Sequence, residues 1–516
     1  MDCFQAVLAL SPCHLTDIGE KPFTFFTNKL FTFFFQISRD ILSELPEEII
    51  YYTLSFLPIR EAARTSILAH RWRELWKTSV KFFSCLSLDL LDKRGSSFPE
   101  RNYLDNPFVV DDELEFSLYE EAHLKILTTE RIGFLKWADQ IMQLDCNSAI
   151  DSFRLRFYLK KDYSHHIDQW MKTAIAKKSQ NFDVDLSCFD EVGIRDDPNE
   201  DLYTFPFCLF SHESRSLVKS LCLTRCIFEP LHSTYFSSMV ELQLESVLLN
   251  QDFTKFLRNC VNLENLVLVR CPNLVNLEIC SPKLKHCTLC YCYDLKNVMI
   301  DARKLTRFEY HGGELELSFQ NVPRLTNAGI CMGQPSLTYA LEKLSSDLPN
   351  LESLFLKVTP IQEVKISTQL PLFANLKEVK LMVASADKTL WDLIYVVRAS
   401  PYLQSLEYYG LYAASECEEE KRPSDFVHEH LKEIKFFGYT GTSHEIEFAK
   451  YLVKNCIAVE KITIRYKFFT YRLKRGFYEY EENLNEEEED QKKEMERRIH
   501  EEVATMLHPN VVLLVD

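Results

Sequence analysis

Residues 263–310 read LENLVLVRCPNLVNLEICSPKLKHCTLCYCYDLKNVMIDARKLTRFEY, and their spacing decides the fold. Leu263, Leu266 and Leu268 are echoed by Leu274, Leu277 and Ile279, then by Leu284, Cys287 and Leu289. Leu295, Val298 and Ile300 follow, then Leu305, Phe308 and Tyr310. An apolar-x-x-apolar-x-apolar spacing sends alternate side chains of a short strand toward one interior. Self-similarity of this kind marks a solenoid, in which each coil buries its apolar face only against its neighbours.

Working outward, Val218, Leu221 and Leu223 carry the same spacing upstream. Downstream, Leu351/Leu354/Leu356, Leu376/Val379/Leu381, Leu403/Leu406/Tyr408 and Leu431/Ile434/Phe436 recur at wider steps. The wider steps leave room for a helical or irregular return on the outer side. Cys226, Cys271 and Cys292 each stand three positions after the last strand residue, where a small or polar group satisfies the backbone as the chain turns. Between the leucines, Gln243, Glu264, Asn265, Val267, Lys285, His286, Asn297, Arg307 and Glu309 take outward positions. Their mixed chemistry fits a protein-recognition ridge and fits ordinary solvated positions equally well.

A second informative stretch precedes the repeats, SRDILSELPEEIIYYTLSFLPIREAARTSILAHRWRELWKTSV at residues 38–80. Pro46 suits the first turn of a helix, and Glu47 and Glu48 favour the positive end of its dipole. Ile50, Leu54 and Leu57 recur at i, i+4 and i+7, which is one helix face. Pro58 ends that helix and opens a second, with Ala63 and Ile67 on one side. A third begins near His70, with Trp72, Leu75 and Trp76 at i, i+3 and i+4. Three helices this short bury little by themselves, so the remaining apolar surface predicts a docking module.

This segment resembles the F-box of plant proteins, which reads roughly LP-x-E-I, SFLP, EA-x-RTS-x-L and RWR-x-LW. Leu45, Pro46, Glu48 and Ile49 match the first element, and Ser55-Phe56-Leu57-Pro58 the second. Glu61-Ala62-Ala63-Arg64-Thr65-Ser66 and Arg71-Trp72-Arg73-Glu74-Leu75-Trp76 match the others; Ala69-His70 departs from the usual Ser-Lys pair. The resemblance implies an SKP-type adaptor as partner and, through it, a cullin. Leu45, Pro46, Ile49, Leu57 and Pro58 are then expected to form most of the adaptor contact. Trp72, Leu75 and Trp76 are expected to divide between core and interface.

Beyond the F-box, Ile150-Phe153-Leu155-Phe157, Trp170, Phe182-Val184-Leu186 and Phe205-Pro206-Leu209-Phe210 fall in the order of the plant F-box and leucine-rich-repeat family. Residues 428–464 look like its C-terminal FBD module: His430-Leu431-Lys432 opens a strand, Gly438-Tyr439 turns, and a helix runs to Asn455 with Leu452 and Val453 inward. The expected fold class is α/β, a short N-terminal helical F-box followed by a leucine-rich-repeat solenoid. The expected layout is an N-terminal extension (1–37), the F-box (38–83) and a variable linker (84–127). The solenoid (128–415), an FBD-like end (416–470) and a charged tail (471–516) complete it.

Composition excludes several alternatives. The chain has 516 residues and 46% hydrophobic content, enough for an ordered interior, but only 12 glycines, few for a phosphate-cradling enzyme. With 59 basic against 76 acidic residues, the net charge of −17 speaks against nucleic acid as partner. The 17 scattered cysteines read as buried thiols of a reduced intracellular protein. Residues 22–37 are apolar but are interrupted by Asn28 and Lys29 and are short for a membrane span.

His286-Cys287-Thr288-Leu289-Cys290-Tyr291-Cys292 resembles a metal cluster by composition, yet neighbouring strand residues face opposite sides while tetrahedral zinc needs converging ligands. No metal site, no cofactor and no catalytic residue is expected: G-x-S-x-G, P-loop and H-E-x-x-H patterns are absent. The resemblance implies the substrate-receiving subunit of an SKP-cullin-F-box ubiquitin ligase, non-catalytic, binding an unknown target protein through its repeats. The family implies the nucleus, the cytoplasm or both as its location. The alternatives are an F-box repeat scaffold and a small-molecule sensor without a degradation target.

Overall fold

A computed structural model describes residues 45–57, 59–67, 70–79, 82–89, 130–143, 149–187, 201–230, 236–332, 343–358 and 372–383. It further describes residues 391, 393–410, 426–439, 441–465, 469–474, 477–482, 496–499, 501–507 and 509–515. The N-terminal extension, Pro58, most of the expected linker and the acidic run 483–495 lie outside them. The chain divides into two compact units, Met1–Ile227 and Phe228–Asp516.

The first unit begins with three helices, α1 (Glu47–Ser55), α2 (Ile59–Arg64, continued by a 3-10 turn Thr65–Ile67) and α3 (His70–Ser79). Four parallel strands follow, β1 (Cys85–Asp89), β2 (Ser152–Arg156), β3 (Asn181–Asp185) and β4 (Ser220–Thr224). Their register runs straight across, Leu86↔Phe153↔Phe182↔Leu221 and Leu88↔Leu155↔Val184↔Leu223, and all eight side chains are buried. The first strand falls where a variable linker was expected; Leu86 and Leu88 supply the two-residue alternation that makes CLSLD a strand. Two helices accompany the strands, α4 (130–142) and α5 (Ser164–Ala176). Phe134 of α4 stacks on Phe157 at 4.4 Å, and the indole N–H of buried Trp170 donates to Asp139 at 2.8 Å.

The second unit is built on eleven described parallel strands. In sheet order they are β5 (Glu241–Glu245), β6 (Asn265–Val269), β8 (His286–Cys290), β10 (Arg307–Gly312) and β12 (Asn327–Met332). Then come β13 (Ser353–Val358), β14 (Glu378–Val383), β15 (Ser405–Gly410), β16 (Glu433–Phe437), β17 (Lys461–Arg465) and β20 (Val512–Val515). The omitted numbers belong elsewhere: β7 (Asn276–Cys280), β9 (Asn297–Asp301) and β11 (Glu316–Gln320) form a separate three-stranded parallel sheet. A hairpin of β18 (Phe469–Lys474) and β19 (Phe477–Glu482) is antiparallel.

The short steps of 263–310 therefore do not lay successive strands side by side. Strands of one sheet lie 21 residues apart (Asn265↔His286↔Arg307), and the copies midway between them form the other sheet (Asn276↔Asn297). Each coil of this region makes one strand on each side, and both apolar triplets point to the same interior. Further on, register partners Asn327, Ser353, Glu378, Ser405, Glu433 and Lys461 are more widely spaced. There the return includes helices, among them α7 (Leu393–Ala399) and α8 (Ser443–Asn455), α6 being Phe253–Asn259. Helix α8 opens with a reciprocal cap, in which the Glu445 N–H donates to the Thr442 hydroxyl and the Thr442 N–H to the Glu445 carboxylate. Leu452 is buried as expected, while Val453 is only partly so.

The turns carry a recurring backbone signature. Arg225, Ser246, Arg270 and Tyr291 take left-handed conformations (φ 58°, 51°, 50° and 56°) immediately before Cys226, Val247, Cys271 and Cys292. Such values are costly for residues with a Cβ, so the register between coils must impose them. It does so by hydrogen bonds: the Ser246, Arg270 and Tyr291 N–H groups donate to the carbonyls of Val269, Cys290 and His311 on the next coil. The Cys271 and Cys292 thiols donate backwards, to the Leu244 and Leu268 carbonyls at 3.4 and 3.8 Å. Burial pushes the thiols of Cys226, Cys260 and Cys456 up to about 12, so these side chains stay protonated.

The expected charged tail is partly folded. Ile499 and Val503 are fully buried, Lys450 of α8 reaches Glu502 at 2.7 Å, and Arg498 donates to the Gly441 carbonyl at 2.7 Å. Val512–Val515 then adds the last described strand beside Lys461–Arg465. Ile499 and Val503 stand at i and i+4 among the charges, which puts both on one inward helical face.

Candidate functional site

The N-terminal helices present a surface as well as a core. Pro46 caps α1 with φ −55° and ψ 144°, and its carbonyl accepts the Ile49 and Ile50 N–H groups at 3.1 and 3.2 Å. Glu47 and Glu48 sit in the first turn, where the helix dipole favours them. Ile50 and Leu54 turn inward against Ile59, Ala62, Trp72 and Leu75, all buried. Polar groups in this core are satisfied locally: the Thr65 hydroxyl donates to the Ala62 carbonyl and the Ser79 hydroxyl to the Trp76 carbonyl, each at 2.6 Å. Arg71 fixes α3 to the start of α1, donating to the Leu45 carbonyl at 3.4 Å and lying 3.9 Å from the Glu47 carboxylate.

The opposite side of α1 is apolar and uncovered. Ile49, Tyr52 and Phe56, at i, i+3 and i+7, are 49%, 64% and 70% exposed. Tyr52 and Phe56 meet edge to face at 4.7 Å, and the Thr53 hydroxyl between them is occupied by the Ile49 carbonyl at 2.7 Å. Ile67, in the 3-10 turn, is 68% exposed. Large apolar side chains clustered on one face mark an interaction surface. Covering each would be favourable by roughly 1.5–3 kcal/mol. Beside them the Tyr51 hydroxyl is raised by burial and by its 2.9 Å hydrogen bond to Glu47, and its ring stacks on Phe82 at 5.5 Å.

Of the residues expected at the adaptor contact, Pro46 and Ile49 are exposed, Leu45, Leu57 and Trp76 are half-buried, and Pro58 lies outside the described residues. Trp72 and Leu75, at 7% and 4% exposure, fall on the core side of the expected division and offer no surface of their own. On α2 the buried alanine is Ala62, while Ala63 is half-buried and Ile67 faces out. Tyr52, Phe56 and Ile67 were missed. The signal for the first two was present, because a face of α1 offset from Ile50 and Leu54 also repeats at i, i+3 and i+7.

The second surface is the row of strand positions that face away from the interior of unit two. Gln243, Glu264, Asn265, Lys285, His286 and Arg307 remain at least partly exposed, whereas Val267 and Glu309 are buried and Asn297 lies on the three-stranded sheet. Along β14–β17 this surface is self-neutralising. Glu407 meets Lys380 at 3.2 Å and Lys435 at 3.0 Å and accepts the Tyr409 hydroxyl at 2.8 Å, while Glu433 bridges Lys435 and Lys461. Burial opposes ionisation of Glu407, but the two lysines and the tyrosine outweigh it and lower its pKa. Glu309 behaves oppositely: burial raises its pKa despite Arg307 beside it. Burial, with Lys357 nearby, pushes His311 down to about 3, so its imidazole is neutral.

His286 and Cys287 face opposite sides, His286 bonding Asn265 at 2.8 Å and Cys287 entering the interior. No group of three His, Cys, Asp or Glu among the described residues is placed to hold a metal ion. An open depression of about 320 Å³ on the three-stranded sheet is lined by residues including Asn276, Glu278, Asn297, Met299 and Glu316. No described helix is long and apolar enough to cross a membrane.

Known proteins match this architecture. The family model described as F-box domain matches residues 42–84, and the one described as At1g61320/AtMIF1, LRR domain matches residues 141–512. The F-box/FBD/LRR-repeat protein At2g04230 of Arabidopsis thaliana is 25% identical, covering 87% of this chain and 94% of its own length. The F-box/LRR-repeat protein At5g38396 of the same plant is 26% identical over 72% of this chain and 78% of its own. The F-box/FBD/LRR-repeat protein At5g56420 is 25% identical over 83% and 91%.

Proposed function

The chain belongs to the plant F-box/leucine-rich-repeat family, and on that premise we propose that it is the substrate-recognition subunit of an SKP-cullin-F-box ubiquitin ligase. The observation that carries the proposal is the uncovered apolar face of α1, with Ile49, Tyr52 and Phe56 exposed on a module whose core is already complete. An SKP-type adaptor presenting a complementary apolar surface would cover that face and link the chain to a cullin. The outward strand positions of the repeats would hold the target protein.

The chain itself supplies geometry. Holding the target near the ubiquitin-charged conjugating enzyme raises the effective concentration of target lysines, and the recruited machinery supplies the chemistry. Adaptor binding tests the proposal. Purified full-length chain should bind an SKP-type adaptor with micromolar or tighter affinity, and a Leu45→Ala/Pro46→Ala double variant should lose that binding. An adaptor that ignores the folded wild-type chain would remove the ligase assignment and leave a repeat-based interaction protein.

A further inference from the structure

One buried histidine ties three segments of the second unit together. His428, 4% exposed, stands at the head of the coil that carries β16. Its Nδ1 accepts the N–H groups of His430 and Leu431 at 3.3 and 3.1 Å, and its Nε2 lies 2.9 Å from the Ser400 carbonyl just after α7. Two incoming N–H donors require a lone pair on Nδ1, so the ring is neutral and carries its proton on Nε2, which donates to Ser400. The backbone of His428 is committed as well. Its N–H donates to the Asn455 carbonyl at 2.8 Å, and its carbonyl accepts the Ile457 N–H at 3.1 Å. The end of α7, the turn before β16 and the end of α8 therefore meet at one residue.

A proton on Nδ1 cannot coexist with this arrangement. It would point an N–H at two N–H donors, and both hydrogen bonds would be lost; Leu431 is fully buried, so its N–H would have no water to turn to. The surroundings also disfavour the charge. Burial lowers the pKa of His428; the hydrogen bond to Ser400 works against this, and the neighbouring His430 reinforces it. The other charged or titratable groups on these segments are Arg398 and Lys454 near the ends of α7 and α8, exposed Glu429, and the buried Cys456 thiol. Arg398 stands 5.2 Å over the Phe426 ring, and the exposed His430 ring lies 5.2 Å from Tyr402. Among the described residues no carboxylate pairs with the His428 ring to favour its charged form.

We infer that His428 is a proton-operated latch between consecutive coils, closed while its ring is neutral and opened when Nδ1 takes a proton in an acidic environment. The closed latch fixes Leu431, which opens the interior row of β16, and Ile457, which leads into β17. Opening exposes the ring to water, where it binds a proton more readily. Each pH unit below the ordinary value of ~6.5 therefore favours the open form by up to about tenfold, until the lower value of the closed form is reached. The latch lies within the second unit and stands whether or not the ligase assignment does.

Hydrogen–deuterium exchange of the full-length chain, followed by mass spectrometry at pH 6 and pH 5 and corrected for the intrinsic pH dependence of exchange, tests the latch. Protection of peptides containing Leu431 and Ile457 is compared with that of β8, so that any loss of stability shared by the whole unit cancels. In the wild type this relative protection should fall about eightfold between the two pH values, the change expected of a ring that titrates near 6.5 only when open. His428→Asn keeps an acceptor within reach of the same two N–H groups but cannot take a proton. Its relative protection should be lower than that of the wild type and equal at both pH values. A wild-type ratio indifferent to pH would overturn the latch, and so would an undiminished pH dependence in the folded variant. Should the variant fail to fold, the wild-type ratio alone decides.

Discussion

The N-terminal helices and the coils of the second unit use their apolar residues in opposite ways. In the coils, Leu266, Leu268, Cys287, Leu289, Phe308 and Tyr310 are all buried, and strand residues that face outward form ion pairs with one another. In the helices, Ile50, Leu54, Trp72 and Leu75 make a small core while Ile49, Tyr52 and Phe56 are left outside. A coil has a neighbour on each side to cover it, so its stability is internal. The helical module has more apolar surface than its core can hold, and the surplus becomes available to a partner. Removing an apolar side chain should therefore cost stability in one region and binding in the other.

The largest expected effect is in the coils. Leu289→Ala, in the centre of β8, should destabilise the second unit by about 2–5 kcal/mol, read from urea unfolding, because the interior cannot fully collapse around the cavity. A loss below about 1 kcal/mol would mean that the coils are loosely packed. Acid should act on the same unit. His311 is held neutral when folded, with its pKa near 3, whereas the unfolded side chain takes a proton near 6.5. The unfolded state then binds more protons between those values, so stability is complete above about pH 6.5 and falls as pH drops, by about 2 kcal/mol at pH 5. Unfolding curves of His311→Asn should lose this part of the slope, while Glu407, whose pKa is also lowered, contributes only at more acid pH. An unchanged slope would place His311 in water.

Smaller effects sharpen the contrast. Thr442→Ala removes one half of the reciprocal cap of α8 and should cost about 1 kcal/mol by the same unfolding assay. Tyr52→Ala, on the exposed face of α1, should change stability by no more than about 0.5 kcal/mol. A clear destabilisation there would show Tyr52 to be part of the core.

Much of this was legible from spacing alone. The triplets from Leu263 to Tyr310 and from Leu351 to Phe436 are all interior, because a parallel strand with one buried face must alternate. The division of 263–310 into two sheets was not legible, since a strand in either sheet shows the same triplet and only the return path differs. Two coils carry a weaker signal for a chemical reason. Met239 opens the triplet with Leu242 and Leu244, and Ala328 sits between Leu325 and Ile330, so neither matches a search for large aliphatic side chains. In the helical module the spacing shows that Trp72, Leu75 and Trp76 share a helix but not which of them is inside; a core this small takes Trp72 and Leu75 in and leaves Trp76 half-buried.

The most direct test of the account is the affinity of an SKP-type adaptor for a Tyr52→Ser/Phe56→Ser double variant, measured beside its thermal unfolding. The account predicts an unfolding curve superimposable on the wild type and adaptor affinity reduced by at least about a hundredfold, the loss of two apolar contacts of about 1.5–3 kcal/mol each. Wild-type adaptor affinity in the folded variant would contradict the assignment of this face as the docking surface.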